Sequence, residues 1–286
     1  MHTSMKPHFF PFSDLRFILV FLLILSLGAN SLHAQDKYVQ LFAHRGGAHE
    51  QDENTLEAFQ NTYDKGIRGY ETDVRMTKDG ELVIMHDASL DRTTTGSGIV
   101  EEITVDKIRA VKTKKGNPVP TLDDLLTFLN ARPGLYVEFE MKTNPKAYPQ
   151  EVLEKYCDKL YEAVMKNKPG ESTYLFTSFD KRPLVYLKSK YPDADLLFIT
   201  SSPLTQDVIQ QVKELGVNRV GCNLGGTSRT LVREAQKAGI KVSLWPGHTV
   251  EDFLLGIYLG SDYLCSDVPE KVLTFVKTQM PWLKIK

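Results

Sequence analysis

Residues 69–86 read GYETDVRMTKDGELVIMH, and this stretch decides how the rest of the chain is interpreted. Gly69–Val74 and Leu82–Met85 have the apolar and β-branched content of strands, and only a short turn around Asp79-Gly80 separates them. A parallel connection between neighbouring strands needs a dozen or more residues, so this link must be an antiparallel hairpin. The stretch therefore predicts one hairpin arm beside whatever sheet the other strands form.

Outward from the hairpin, short apolar runs alternate with amphipathic stretches, and no linker rich in serine, glycine or proline divides them. This alternation predicts an α/β fold with a parallel sheet covered by helices, in one domain. The other expected strands are Val39–Ala43, Leu135–Met141, Thr173–Phe179, Asp195–Thr200, Arg219–Leu224, Lys241–Trp245 and Asp262–Cys265. The expected helices are Thr55–Lys65, Leu122–Asn130, Gln150–Asn167, Arg182–Lys190, Thr205–Leu215, Ser228–Ala238 and Val250–Leu259.

Without the hairpin arm Leu82–Met85, eight strands remain, which is the number in a (β/α)8 TIM barrel. Residues 87–117 are rich in threonine, glycine and charge, and we expect a small insertion there with a short helix near Thr104–Val111. An open doubly wound sheet is the alternative. It would carry a glycine-rich phosphate loop after its first strand, and Gly46-Gly47 is too weak a match.

Two of the predicted strands carry charged residues, although parallel strands covered on both faces are usually almost entirely apolar. Side chains alternate along a strand, so Glu138, Glu140 and Lys142 share one face. Glu71 and Asp73 share a face of another strand in the same way. Carboxylates therefore point into the barrel from two strands, where an unpaired charge is very costly.

Buried carboxylates need a cation or a set of hydrogen bonds, and a hard divalent ion held by oxygen ligands is the natural candidate. The alternative is internal salt bridging, for instance by Lys142, Arg45 or Arg75. Three or four carboxylates near the strand ends of one barrel favour the metal ion.

Two histidines are expected on the same rim. His44 ends the first predicted strand, and His86 ends the hairpin arm, which returns it to the neighbourhood of Glu71. Two histidines beside a carboxylate cluster are typical of an acid–base pair. The sequence has neither a GxSxG elbow nor an HExxH helix, which argues against acyl-transfer and zinc-protease chemistry.

Composition excludes several classes of protein. The 286 residues include 35 Lys+Arg and 36 Asp+Glu, so there is no basic surplus for a nucleic-acid backbone. The hydrophobic fraction of 42% is enough for a sizeable core and excludes a disordered chain. Three scattered cysteines form neither a disulfide framework nor a CxxC metal motif.

The N-terminus has the pattern of a signal peptide. Lys6 and Arg16 precede the apolar run Phe17–Leu27, and small residues lead to Ala34. We predict cleavage after Ala34, so that residues 1–34 are a leader and residues 35–286 are the barrel domain. A membrane anchor is the alternative, but the run is shorter than the about 20 residues that span a bilayer. The sequence thus predicts an exported protein, periplasmic or extracellular, with no stable membrane span after cleavage.

A set of short segments occurs in a definite order along the chain. They are Ala43–Gly46, Glu53–Thr55, Glu71–Val74, Thr77–Gly80, Val83–Asp87, Leu90–Thr94, Pro120–Asp124, Glu140–Lys142 and Ser178–Asp180. In this order, these segments resemble the glycerophosphodiester phosphodiesterase family, a family of metal-dependent TIM-barrel enzymes similar to phosphatidylinositol phospholipase C. The likeness covers essentially Val39 to Val276. Each segment alone is a weak signal, whereas the ordered set is specific.

The resemblance implies hydrolysis of small-molecule glycerophosphodiesters to sn-glycerol 3-phosphate and an alcohol, with Ca²⁺ or Mg²⁺ as cofactor. It implies His44 and His86 as the acid–base pair, in which we assign His44 as base and His86 as acid, with the reverse order as the alternative. The implied metal ligands are Glu71, Asp73 and Glu140, and the implied substrate-binding residues are Arg45 and Lys142 at the phosphate and Trp245 as a wall for the leaving alcohol or glycerol.

The sequence departs from the family pattern at three places. Asp52 stands where the family usually has proline, and we expect little effect. Glu138 stands where a neutral residue is frequent, and could support the metal ligands from behind. His248 stands where the family usually has asparagine, so it is expected to tune the choice of headgroup or to face solvent.

Four further residues have simpler interpretations. His49 is expected to be a surface histidine, and Asp267 a turn or helix cap rather than a ligand. Tyr148 and Phe179 could line the pocket.

Two rival functions are kept beside the phosphodiesterase. One is a related phospholipase or lyase that acts on intact phospholipid, which would favour an exposed apolar rim. The other is a non-catalytic secreted protein that binds phosphoesters, which would tolerate loss of the histidines or of the carboxylates.

Overall fold

The computed structural model of the protein describes residues 38–286. The predicted leader, residues 1–34, lies outside this range, so its cleavage stays a prediction. Among residues 38–286, no helix combines the length and the apolar character needed to cross a membrane.

Eight parallel strands close into a barrel in the order β1-β2-β4-β5-β6-β7-β8-β9, because β1 pairs with both β2 and β9. The predicted TIM barrel is confirmed, and the open sheet is excluded. The strands are β1 Gln40–Ala43, β2 Gly69–Met76, β3 Leu82–Ile84, β4 Tyr136–Met141, β5 Thr173–Ser178, β6 Leu196–Pro203, β7 Arg219–Asn223, β8 Lys241–Trp245 and β9 Tyr263–Ser266.

The remaining strand, β3, is the predicted hairpin arm. It runs antiparallel to the end of β2, from Val74 opposite Ile84 to Met76 opposite Leu82. The turn contains Gly80 at φ 84°, a left-handed conformation that glycine adopts at little cost. The arm therefore lies outside the barrel and returns the chain to the level of Asp73, whose carbonyl accepts the N–H of Met85 just before His86.

The predicted helices are all present, within a residue or two at each end, and one further helix follows β9. They are Leu56–Asp64, Val105–Arg109, Leu122–Asn130, Gln150–Lys166, Lys181–Lys190, Gln206–Glu214, Arg229–Lys237, Val250–Leu259 and Pro269–Gln279. Side chains that cap the helix N-termini explain several of the starting points. These caps are Thr55, Thr121, Asp180, Thr205, Ser228 and Thr249.

The helix Pro269–Gln279 was not predicted. It begins with proline in its first turn, where the missing N–H costs nothing. Val272 and Val276, four residues apart, are its buried face. Only Asp267 and Val268 separate this helix from β9.

The barrel wall has apolar material on both sides. On the outer face Val137, Phe139 and Met141 pack into the main core between sheet and helices. The interior holds a smaller cluster of Phe42, Tyr136, Leu175 and Cys265. The carboxylates of β4 therefore lie on the inner face, as the alternation of its side chains predicts.

The predicted insertion has a small core of its own, and its short helix Val105–Arg109 lies where it was expected. Asp52 ties the insertion to the barrel, because its Oδ2 accepts hydrogen bonds from Thr113 at 2.5 Å and Asn117 at 2.9 Å. The departure from proline at this position therefore adds a contact between the first βα loop and the insertion.

Candidate active site

The carboxyl ends of the barrel strands surround a cavity of about 260 Å³. Active sites of TIM barrels form at this end, where loops from different strands meet. All eight residues that the sequence singled out as site residues are present there. Seven of them line the cavity directly, namely His44, Arg45, Glu71, His86, Glu140, Lys142 and Trp245.

The eighth, Asp73, lies beneath the cavity with the other two predicted metal ligands. Parallel pairing of β2 with β4 sets Asp73 opposite Glu140, and Glu71 precedes Asp73 on the same face. One oxygen of each carboxylate lies within 4.8 Å of the other two. The exposed fractions of Glu71, Asp73 and Glu140 are 4%, 0% and 7%. Three carboxyl groups are thus held together out of water.

Two cations neutralise this cluster in part. Lys142 Nζ lies 2.7 Å from Glu140 Oε1 and 3.5 Å from Asp73 Oδ1. Arg45 Nε lies 3.5 Å from Asp73 Oδ2, and Arg45 also pairs with Glu53 at 3.2 Å. Internal salt bridging, the alternative interpretation, is therefore present. These salt bridges leave an excess of negative charge at the cluster, because Arg45 is shared with a fourth carboxylate, that of Glu53.

The surplus is visible at individual oxygens. Glu71 Oε1 and Asp73 Oδ1 are buried and accept no hydrogen bond within residues 38–286. Burial, together with the charges of Asp73 and Glu140, raises the pKa of Glu71 well above its ordinary value. The donor set of three carboxylates with free lone pairs fits a hard divalent cation.

Arg45 is fixed by an unusual backbone conformation. Its φ is 53° and its ψ is 30°, in the left-handed region that residues other than glycine seldom adopt. This conformation turns its N–H toward Glu71 Oε2, at 3.1 Å, while its side chain reaches Glu53 and Asp73. The strained residue therefore orients one predicted metal ligand and presents a guanidinium to the cavity.

His44 is held by a carboxylate that the sequence did not identify. Its Nδ1 lies 2.6 Å from Asp267 Oδ1, so Nδ1 carries the proton and Nε2 keeps its lone pair. That Nε2 lies 3.8 Å from Glu71 Oε2. Burial opposes ionisation of Asp267, but hydrogen bonds from His44 and His248 lower its pKa to about 2. The expectation that Asp267 is only a turn or cap is therefore wrong.

His86 is held in the same way by the next residue. Its Nδ1 lies 2.7 Å from Asp87 Oδ1, which leaves Nε2 available, and Arg92 bonds the other oxygen of Asp87. Arg75 donates to the carbonyl oxygen of His86 at 2.7 Å and fixes the backbone. Burial lowers the pKa of His86 below its usual 6.5. Each histidine thus has a carboxylate that sets its tautomer.

His248 and His49 lie beside the same Asp267. His248 Nδ1 is 2.5 Å from Asp267 Oδ2, and its ring stacks on that of His49 with 5.1 Å between centroids. His248 lines the cavity, so it is a rim residue, although its side chain is 52% exposed. His49 is equally exposed, as expected of a surface histidine, but it belongs to this cluster.

The cavity has aromatic and acidic walls. Phe179 and Trp245 meet edge to face with 5.7 Å between centroids, and both line it. Glu138 also lines the cavity, where Tyr136 donates a hydrogen bond to it. Tyr148 does not line it, since it is buried with its hydroxyl against the N–H of Met76.

Comparison with known proteins agrees with this geometry. The family model described as "Glycerophosphoryl diester phosphodiesterase family" matches residues 44–271. A similar protein, "Glycerophosphodiester phosphodiesterase" of Caldanaerobacter subterraneus subsp. tengcongensis, is 28% identical over 246 residues, which are 83% of this chain and 97% of that one.

Solved structures share the fold. A phosphodiesterase of Oleispira antarctica, in complex with the product sn-glycerol-3-phosphate, is 23% identical with a TM-score of 0.76, over 85% of this chain and 99% of that one. A putative glycerophosphoryl diester phosphodiesterase of Silicibacter pomeroyi is 23% identical with a TM-score of 0.79, over 87% and 95% of the two chains.

Proposed function

The chain belongs to the glycerophosphoryl diester phosphodiesterase family, and from that premise we propose that it hydrolyses glycerophosphodiesters to sn-glycerol 3-phosphate and an alcohol with the help of a divalent metal ion and two histidines. It is accordingly a phosphoric diester hydrolase. One observation carries the proposal. The carboxylates of Glu71, Asp73 and Glu140 and the two carboxylate-backed histidines, His44 and His86, meet at one cavity.

Glu71, Asp73 and Glu140 would hold the metal ion. The buried oxygens of Glu71 and Asp73 that accept no hydrogen bond, and the excess negative charge of the cluster, suit a hard cation, Ca²⁺ or Mg²⁺, rather than a softer one. When bound, such an ion would supply positive charge that stabilises the negative charge developing on the phosphate oxygens in the transition state.

Arg45 and Lys142 bind the phosphodiester. Both side chains are largely buried at the cavity wall and are held there by the carboxylates. The guanidinium of Arg45 and the ammonium of Lys142 are therefore preorganised to bind a phosphate. The non-bridging oxygens become more negative in the transition state, and fixed cations in a partly dry site stabilise them there more than in the ground state.

The proton transfers are assigned to the two histidines. His44 takes a proton at Nε2 from the attacking hydroxyl, and Asp267 stabilises the imidazolium that results, since it accepts from Nδ1. His86 gives a proton from Nε2 to the leaving alkoxide, with Asp87 at its Nδ1. Each transfer of this kind contributes about 10²–10⁴-fold to the rate.

The leaving alcohol lies against Trp245 and Phe179. Their edge-to-face contact forms an apolar wall beside the polar half of the cavity. A small alcohol with apolar carbons packs on such a wall, whereas its hydroxyl oxygen faces His86.

We propose further that the protein is exported, on the basis of the charged, apolar and small-residue pattern of residues 1–34. Mass spectrometry of protein recovered from periplasmic or culture fractions should give an N-terminus at or near Gln35. Intact protein in the membrane fraction alone would support the anchor instead.

The activity is tested with purified protein and a set of glycerophosphodiesters that differ in headgroup. Enzymatic measurement of sn-glycerol 3-phosphate should show turnover with Ca²⁺ or Mg²⁺ present. Turnover of intact phospholipid but not of the deacylated diesters would favour the phospholipase. Binding of glycerophosphodiesters without turnover in any metal would favour the non-catalytic protein.

A further inference from the structure

We propose that His49, His248 and Asp267 form a second metal site, which binds a borderline transition-metal dication of the Zn²⁺ class and, when occupied, switches off His44. This cluster is separate from the three carboxylates assigned above to a hard cation. The binding claim is independent of the proposed function, whereas the switch rests on the proposed role of His44 as base.

The geometry is that of a three-ligand site open to solvent. One nitrogen of each histidine and one carboxylate oxygen of Asp267 lie within 4.8 Å of one another. His248 Nδ1 is 2.5 Å and His49 Nε2 3.9 Å from the same oxygen, Asp267 Oδ2. Both histidine side chains are 52% exposed and Asp267 is 3% exposed, so an ion can enter from the rim and rest on a fixed carboxylate.

The donor set selects the class of ion. Two imidazoles and one carboxylate suit Zn²⁺ and neighbouring transition metals, whereas Ca²⁺ and Mg²⁺ prefer oxygen ligands alone. Three protein ligands leave further positions for water. The ion would take the place of the Nδ1 proton of His248 in the contact with Asp267, and the neutral imidazole would then carry its proton on Nε2.

The three ligands are preorganised by backbone hydrogen bonds between their loops. The N–H of His49 donates to the carbonyl of Asp267 at 3.0 Å, and the N–H of Asp267 donates to that of Gly247 at 2.8 Å. The N–H of His248 donates to Asp252 at 2.9 Å, at the start of the next helix. The loops after β1, β8 and β9, which are neighbours in the barrel, therefore hold the ligands in place.

Asp267 couples this site to His44. Its Oδ1 accepts the Nδ1–H of His44, and its Oδ2 is the oxygen that an ion would take. A dication on Oδ2 withdraws negative charge from the carboxylate and adds positive charge near His44. The imidazolium that His44 must become as a base is then less stable, so occupancy lowers kcat.

The binding half is tested by titrating the purified protein with Zn²⁺ in millimolar Ca²⁺, and counting bound zinc by elemental analysis after dialysis. Wild type and Glu71→Gln should each retain one equivalent that Ca²⁺ does not displace. His49→Gln should lose it. Loss of partners outside the coordination shell costs about 10–100-fold in metal affinity, so loss of a ligand should cost at least that. Equal retention by wild type and His49→Gln, or complete displacement by Ca²⁺, would overturn the site.

The switch is tested in the same buffers by steady-state hydrolysis of a glycerophosphodiester. His49→Gln should match wild type without Zn²⁺, since His49 is outside the proposed machinery, and should need at least about tenfold more Zn²⁺ for half inhibition. A His49-dependent zinc equivalent with no loss of kcat would refute the coupling. No turnover in any metal, with zinc still bound, would count against the proposed function and leave the site standing.

Discussion

His44 and His86 have similar carboxylate partners but different surroundings. Asp267 reaches His44 from the loop after β9, 223 positions away, whereas Asp87 is the neighbour of His86 in sequence. Both pairs leave Nε2 for the substrate. The lowered pKa of His86, caused chiefly by burial, means that the free enzyme holds it mostly neutral at pH 7. Its acid form is then the minor one.

The loss of activity caused by His86→Ala should therefore depend on the leaving group of the substrate. With a p-nitrophenyl phosphodiester, whose leaving p-nitrophenolate needs no proton, the loss should be small. With a glycerophosphodiester of a simple alcohol it should be about 10²-fold or more. In wild type, kcat/KM for the poor leaving group should fall as pH rises through a pKa below 6.5, since the protonated form is consumed. The two substrates are compared from pH 5 to 8, and equal losses on both would assign His86 another role.

The sequence predicted individual site residues where the alternation of side chains along a strand, or the end of a strand, fixed their position. Glu71, Asp73 and Glu140 follow from side-chain alternation, and His44 and His86 from the ends of strands. Asp267 was not predicted at the site, and the sequence did not distinguish Phe179, which lines the cavity, from Tyr148, which does not, since these contacts depend on how loops from distant strands meet. The three residues around Asp267 are ordinary in sequence and become a cluster only through the barrel closure.

Among the elements, the loop between β8 and the helix Val250–Leu259 depends on one glycine. A Cβ on Gly247 would lie 2.0 Å from the carbonyl oxygen of Cys265, a backbone atom that cannot move aside alone. The same loop carries His248, and the carbonyl of Gly247 accepts the N–H of Asp267. Glycine here allows β8 and β9 to bring their end loops together.

Substitution of Gly247→Ala should lower the free energy of unfolding by about 1–3 kcal/mol, the usual cost of overpacking, and should lower kcat as well. Gly170→Ala is the matched control. Nothing lies within 4 Å of its added Cβ, and its φ is not in the left-handed range, so stability should stay constant or rise slightly. The measurement is the urea midpoint of unfolding for both variants. Equal midpoints for Gly247→Ala and Gly170→Ala would contradict the prediction and show that the loop adapts to the added methyl group.

The order of the elements was predictable, because each strand and helix has its own periodicity. The hairpin was predictable because its turn is too short for a crossover. The helix Pro269–Gln279 was missed, since it follows β9 after only two residues and shares its start with the candidate turn at Asp267.

In the molecule as a whole, closure of the barrel buries acidic side chains that the unfolded chain exposes. Glu138 is one of them, and it lies between Tyr136 and the proposed metal ligand Glu140 on the inner face of β4. Burial raises the pKa of Glu138 to about 7. The folded state therefore keeps a proton that the unfolded state releases near pH 4.5.

This difference makes stability depend on pH in a definite direction. As pH rises from about 4.5 to about 7, the folded state binds more protons than the unfolded one, so the free energy of unfolding falls, by at most about 3 kcal/mol. Glu138→Gln is neutral at every pH and can still accept from Tyr136. In chelator, its stability relative to wild type should therefore increase between pH 4.5 and 8. Parallel pH profiles from urea unfolding would contradict the shift.

The proposal that Glu71, Asp73 and Glu140 hold the ion that this phosphodiesterase needs is tested most directly by measuring bound metal and turnover on the same samples. Wild type, Glu71→Gln and Glu171→Gln are stripped with chelator and then given Ca²⁺ or Mg²⁺. Glu171 is the control, an exposed carboxylate beside the start of β5 at the opposite end of the barrel. Stripped wild type should release no sn-glycerol 3-phosphate, and the added ion should restore turnover to wild type and Glu171→Gln but restore neither metal nor turnover to Glu71→Gln. Full turnover by stripped wild type, or wild-type metal content and rate in Glu71→Gln, would contradict it.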